Sequence, residues 1–109
     1  MKRCMLLLLF AVACGRESHE RGRELIAQYG CNTCHSIPGI EGQQGSIGPS
    51  LEGIGARATI SNGHVRNTPE NLAKFIQSPA SLNPSSNMPG LNMPSADAEQ
   101  IAAYLRTLR

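Results

Sequence analysis

The chain has no tryptophan and, in 109 residues, only two tyrosines and two phenylalanines. A small domain is short of buried surface to begin with, and this one cannot fill a core from its own large rings. Folding therefore calls for an added source of apolar contact. No run of Lys or Arg occurs, and no basic patch alternates with aromatics, so the footprint of a nucleic-acid binder is missing. No apolar stretch approaches the roughly 20 residues that cross a bilayer as a helix. A hydrolytic or acid/base constellation is also lacking, because His19 and His64 stand alone and the acids are scattered. The formal net charge of +2 is supplied by Lys2 and Arg3, since basic and acidic residues balance from Cys14 onward. The remainder is near neutral.

The first residues read as an export signal. Lys2 and Arg3 make a basic start, Met5 to Val12 an apolar segment too short to span, and Ala11 and Ala13 flank a cleavage point. Ala11-Val12-Ala13-Cys14 is similar to a bacterial lipoprotein signal, in which the cysteine after a small residue is lipidated and becomes the mature N-terminus. The expected division is a signal at 1–13, a short tether at 14–17 and one domain at 18–109, with Cys14 carrying the lipid. Several acyl chains, each contributing about 0.8 kcal/mol per buried methylene, would hold such a protein on a membrane surface. Cleavage by the ordinary signal peptidase, giving a soluble periplasmic form, is the alternative.

Cys31-Asn32-Thr33-Cys34-His35 carries the chemistry. Two cysteines separated by two residues and followed at once by histidine match the attachment site of a c-type haem. Each thiol adds across one haem vinyl group, and the adjacent histidine is placed to reach the iron. Half a zinc site would need two further ligands nearby, and a thioredoxin-like pair would need a βαβ context. Neither is present. With Cys4 in the signal and Cys31 and Cys34 on the haem, Cys14 has no disulfide partner, and lipidation accounts for it.

Around that motif the sequence predicts an all-α domain of three to four helices wrapped around one covalently attached haem. The first runs from about Ser18, a candidate N-cap, to Tyr29, with Leu25, Ile26 and Tyr29 as its apolar face and Gly30 ending it. Gly22 within it weakens the helix by about 1 kcal/mol relative to alanine unless another helix needs that close approach. Residues 36–67 are glycine-rich and read as loop around the haem. Within them Pro49 has a rigid, free carbonyl suited to the second ring nitrogen of a metal-bound histidine. Thr68 caps a helix to Gln77, with Pro69 at its first position and Leu72, Phe75 and Ile76 in a stripe. Ser78-Pro79 ends it. Ser95 is placed to cap a last helix, with Asp97 and Glu99 in its first turn, Ile101, Tyr104, Leu105 and Leu108 inward, and Arg106 and Arg109 at its C-terminal end.

This order resembles the class I cytochrome c family over Ser18 to Arg109. Asn67-Thr68-Pro69-Glu70-Asn71-Leu72 through Asn87-Met88-Pro89 is most similar to the cytochrome c domain of bacterial cytochrome c oxidase subunit II. The resemblance implies His35 as proximal ligand, Pro49 as the carbonyl acceptor, Met88 as distal ligand, Arg57 as a haem-propionate partner, and Gly22 as the point where the first helix crosses the last near Tyr104. Two methionines precede prolines in the loop before the last helix. Met88 lies near its middle, whereas Met93, two residues before Ser95, is placed to pack against that helix.

An iron held by both histidine and thioether offers no open position to a substrate. The expected function is single-electron transfer by a monomeric, lipid-anchored carrier on the periplasmic side of a bacterial membrane, with redox proteins such as a terminal oxidase or dehydrogenase as partners and no catalysis of its own. An accessory haem subunit of such a complex, or a haem sensor or enzyme with a labile distal ligand, are the other classes.

Overall fold

The computed structural model describes residues 19–109; the expected signal, the tether, Cys14 and the Ser18 cap lie outside them. The chain there forms five helices and one small hairpin: α1 over 19–29, α2 at Cys31–Cys34, a 3-10 turn at Ile54–Ala56, β1 at Thr59–Ile60, β2 at Val65–Arg66, α3 at Pro69–Gln77, α4 at Pro79–Leu82 and α5 at Ser95–Leu105. Three are long and two are single turns.

Helices α1 and α5 meet where α1 has no side chain. A Cβ on buried Gly22 would strike the Gln100 carbonyl oxygen and lie 2.8 Å from Tyr104 Cβ. Glycine thus admits the crossing at the expense of helix propensity. Leu25 and Ile26 on α1 and Ile101 on α5 are almost completely buried in the core. At the other end of α1 the Tyr29 hydroxyl donates to the Asp97 carboxylate at 2.6 Å, tying it to the first turn of α5.

Helix α3 begins as its sequence dictates. The Thr68 hydroxyl accepts from Asn71 N–H at 3.1 Å and Pro69 takes the first position, which has no intrahelical N–H bond to lose. Leu72 and Ile76 are buried and Phe75 packs partly against the same core.

Several expectations change. Ser95 is the first residue of α5 rather than its cap: Pro94, in an extended conformation, precedes the helix, and its carbonyl accepts from Asp97 and Ala98 N–H. Asp97 is then the acid of the first turn, Glu99 lies one turn on, and neither Arg106 nor Arg109 falls within the last turn. The 36–67 stretch is not wholly loop. It contains the 3-10 turn and an antiparallel hairpin pairing Thr59 with Arg66 and Ile60 with Val65. Ser61, Asn62 and Gly63 turn that hairpin with three successive positive φ angles.

Candidate functional site

The CxxCH residues sit at the junction of α1 and α2. Gly30 turns the chain in the left-handed region, φ 74°, and Cys31 to Cys34 then make one helical turn whose end is closed by His35 N–H to the Cys31 carbonyl at 3.0 Å. Both thiols are free and half-buried on that turn. Burial pushes the Cys31 thiol above its ordinary pKa, and the nearby Cys34 adds to this against a backbone hydrogen bond that lowers it.

A returning segment fixes His35. Residues 43–51 run back along 32–36 through Gly45 N–H to the Asn32 and His35 carbonyls, Gly48 N–H to the Cys34 carbonyl at 2.7 Å and Leu51 N–H to the Ser36 carbonyl at 2.8 Å. His35 Nδ1 lies 2.7 Å from the Pro49 carbonyl oxygen. A carbonyl only accepts, so Nδ1 carries a hydrogen and Nε2 is the ring nitrogen left for another partner. This is the arrangement usual for a metal-bound histidine. Glycine is required at 48, where a Cβ would come within 2.5 Å of the His35 ring, and at 45, where it would press on the backbone of Thr33 and Cys34.

Arg57 reaches the same loop. Its Nη2 donates to the Ser50 carbonyl at 2.8 Å and the Glu52 carbonyl at 2.9 Å, which holds an exposed guanidinium beside Pro49. Met88 belongs to a separate loop between α4 and α5 and is half-buried there, whereas Met93 is 4 % exposed and part of the core.

Two site elements were missed in the sequence. The Gln44 side chain accepts from Ile37 N–H at 2.6 Å and donates to the Ile40 carbonyl at 2.7 Å, substituting for backbone partners in the turn after His35. Tyr104 donates to the Pro38 carbonyl at 2.7 Å, anchoring the same turn to α5. Nothing short-range signals either contact. Asn67 donates to the Ile54 and Arg57 carbonyls, both at 2.9 Å, and so links the 3-10 turn to the start of α3. A surface groove between α3 and α5 is lined by Ala73, Ala98, Ala102 and Ala103 among others and touches none of these residues. It marks the small side chains of a helix crossing.

The donor set fits a c-type haem: two free thiols on one turn, an adjacent histidine whose Nδ1 is held by a carbonyl, and no cluster of three His, Cys, Asp or Glu among the described residues that would suit a metal ion instead. No curated protein matches the chain. The family model described as Cytochrome c matches residues 19–109, nearly all of the sequence. From the matched residues and the CxxCH turn together, the chain belongs to the cytochrome c family, whose all-α domains bind haem c covalently, here through Cys31 and Cys34, and transfer electrons.

Proposed function

We propose that this protein is a monohaem electron carrier, tethered by a lipid on Cys14 to the periplasmic side of a bacterial membrane, that passes single electrons between redox proteins such as a dehydrogenase and a terminal oxidase. The observation that carries the reading is the 2.7 Å contact between His35 Nδ1 and the Pro49 carbonyl. It commits one ring nitrogen to the protein and leaves the other for iron, on the turn that holds both thiols. In this reading His35 and Met88 would hold the iron, and Arg57 would pair with a propionate through the nitrogens it does not spend on Ser50 and Glu52. Met88 is favoured over Met93 by burial. Met93 is 4 % exposed and withdrawing a fully buried side chain costs about 1.5–3 kcal/mol, more than for the partly buried Met88. Held by a histidine and a thioether, such a group would favour the reduced state and would supply one-electron transfer. The Cys14 tether rests on the Ala11-Val12-Ala13-Cys14 pattern.

A second reading, an accessory subunit of an oxidase or dehydrogenase complex, is favoured by the likeness of Asn67–Leu72 and Asn87–Pro89 to the oxidase subunit II domain. Co-purification with a membrane complex separates it from the free carrier.

The test is an oxidised and reduced absorption spectrum of protein made in a host that attaches c-type haem. Haem that resists acid–acetone extraction, with a near-infrared sulfur-to-iron band lost in Met88→Leu and kept in Met93→Leu, is expected. The opposite pattern moves the ligand to Met93, and loss in neither excludes both. Cys14→Ser should leave the spectrum unchanged and release the protein from membranes; retention after a salt wash would refute the tether.

A further inference from the structure

The loop that carries Met88 is built on a single asparagine. Asn83 follows the last residue of α4, and its N–H donates to the Pro79 carbonyl at 3.0 Å. Its Oδ1 accepts from Ser85 N–H at 3.1 Å, its own carbonyl accepts from Ser86 N–H at 2.9 Å, and Ser86 Oγ in turn accepts from Met88 N–H at 3.2 Å. Because Oδ1 is committed to a backbone donor, the amide orientation is set and Nδ2 faces the other way. There it donates to Ser61 Oγ at 2.8 Å, in the turn of the β1–β2 hairpin. Ser61 has a φ of 54°, a conformation that a serine keeps only where its surroundings hold it. At the far end of the loop Met93 is buried and its carbonyl accepts from Gln77 Nε2 at 3.2 Å.

The segment is thus pinned at Asn83 and at Met93, with Met88 between the pins. We propose that Asn83 is a positioning residue for Met88, latching the ligand loop to the hairpin turn through Ser61 so that the thioether stays in place. This rests on the reading of Met88 as axial ligand. The latch acts on the loop's opening equilibrium. An external ligand that must displace Met88 then binds in proportion to the fraction of molecules with the loop open.

The test titrates the oxidised, haem-loaded protein with imidazole, following loss of the near-infrared band. Asn83→Ala removes both the link to Ser61 and the acceptor for Ser85 N–H, so it should bind imidazole more tightly by at least about fivefold, the effect of losing one neutral hydrogen bond. Ser61→Gly, which removes the hydroxyl while suiting a positive φ, should give the roughly fivefold gain of the shared link alone, and the double variant should gain little beyond Asn83→Ala. Asn83→Asp keeps an acceptor for Ser85 N–H and can accept from the Ser61 hydroxyl, so it should restore most of the wild-type affinity. Amide exchange should quicken at Ser85, Ser86 and Met88 in Asn83→Ala but not at Leu25 or Ile101. If Asn83→Ala fails to fold, Ser61→Gly decides alone. Unmoved imidazole affinity with a normal band overturns the latch and leaves the ligand assignment standing. A band that is absent from the wild type, or that survives Met88→Leu, overturns the ligand assignment and the latch with it.

Discussion

Replacing Gly48 by alanine tests the geometry on which the site depends. A Cβ there would lie 2.5 Å from His35 Cε1, 2.8 Å from Nδ1 and 3.1 Å from Nε2, whereas ordinary contact begins at 3.4 Å. Either the ring or the loop must yield by about 0.9 Å. The ring cannot yield freely, because Nδ1 is held by the Pro49 carbonyl at 2.7 Å, and the loop cannot, because Gly48 N–H is held by the Cys34 carbonyl at the same distance. A retreat of that size stretches one of the two bonds past its useful range. The loss is about 1 kcal/mol for the bond and about 1–3 kcal/mol for overpacking. The sum is a large fraction of the roughly 5–15 kcal/mol that stabilises a small domain. With His35 as the proposed iron ligand, weakening the Nδ1 bond would make it a poorer electron donor, so the potential should rise. Denaturant unfolding and a redox titration of the haem-loaded variant measure both effects. Gly90→Ala is the control, since its Cβ would meet only the Gln77 carbonyl at an ordinary 3.8 Å. A Gly48→Ala protein with the wild-type midpoint and potential would show that the loop retreats without disturbing His35, and would refute this account.

Gly22→Ala sets a helix-propensity gain of about 1 kcal/mol against overpacking of about 1–3 kcal/mol on a backbone carbonyl that cannot rotate away, so the unfolding midpoint should fall; a midpoint that rises would mean that α1 and α5 slide apart cheaply. Tyr29 titrates above its ordinary value, chiefly because its hydroxyl donates to Asp97, with desolvation and the Asp97 charge adding to the shift. A raised folded-state pKa contributes stability that is present below the unfolded value, about 10, and is lost as pH rises through the folded one. The wild type should therefore lose stability above pH 10 more steeply than Tyr29→Phe, and parallel alkaline slopes would contradict the assignment.

The long helices were legible because each is stated several times over. Thr68, Pro69 and the Leu72, Phe75, Ile76 stripe all specify α3, and the structure shows Thr68 capping it. Gly22 was legible as a close approach because a glycine inside an otherwise good helix has few other reasons to be there. The hairpin was not, since strands of two residues cannot display alternation. Asn62-Gly63 was the available signal, the dipeptide most suited to positive φ in a hairpin turn. Ser95 misled because a serine before an apolar pattern reads as a cap, while Pro94, already extended and with its carbonyl accepting from Asp97 and Ala98 N–H, takes that position first. Contacts such as Asn83 with Ser61 and Gln44 with Ile37 lie beyond sequence reading, because single side chains bridging loops leave no period.

Glycine in residues 36–67 reads as looseness by composition, yet at Gly39, Gly45, Gly48 and Gly55 it marks close contact, while Gly42, Gly53 and Gly63 have open space and a positive φ. Gly45 and Gly48 stand where a Cβ would enter the CxxCH turn, and the hydrogen bonds from Gly45, Gly48 and Leu51 bind the two segments backbone to backbone. Ile47, between those glycines, is 84 % exposed, so the approach is not driven by burying that side chain in the core. His35 is thereby positioned by peptide groups and one proline carbonyl, whereas α1 and α5 are joined by buried side chains. The two kinds of joint separate the effects of the two glycines. Overpacking at Gly22 strains a joint remote in sequence from His35 and should lower stability while leaving the potential in place. Overpacking at Gly48 acts on the imidazole itself, so there stability and potential should move together.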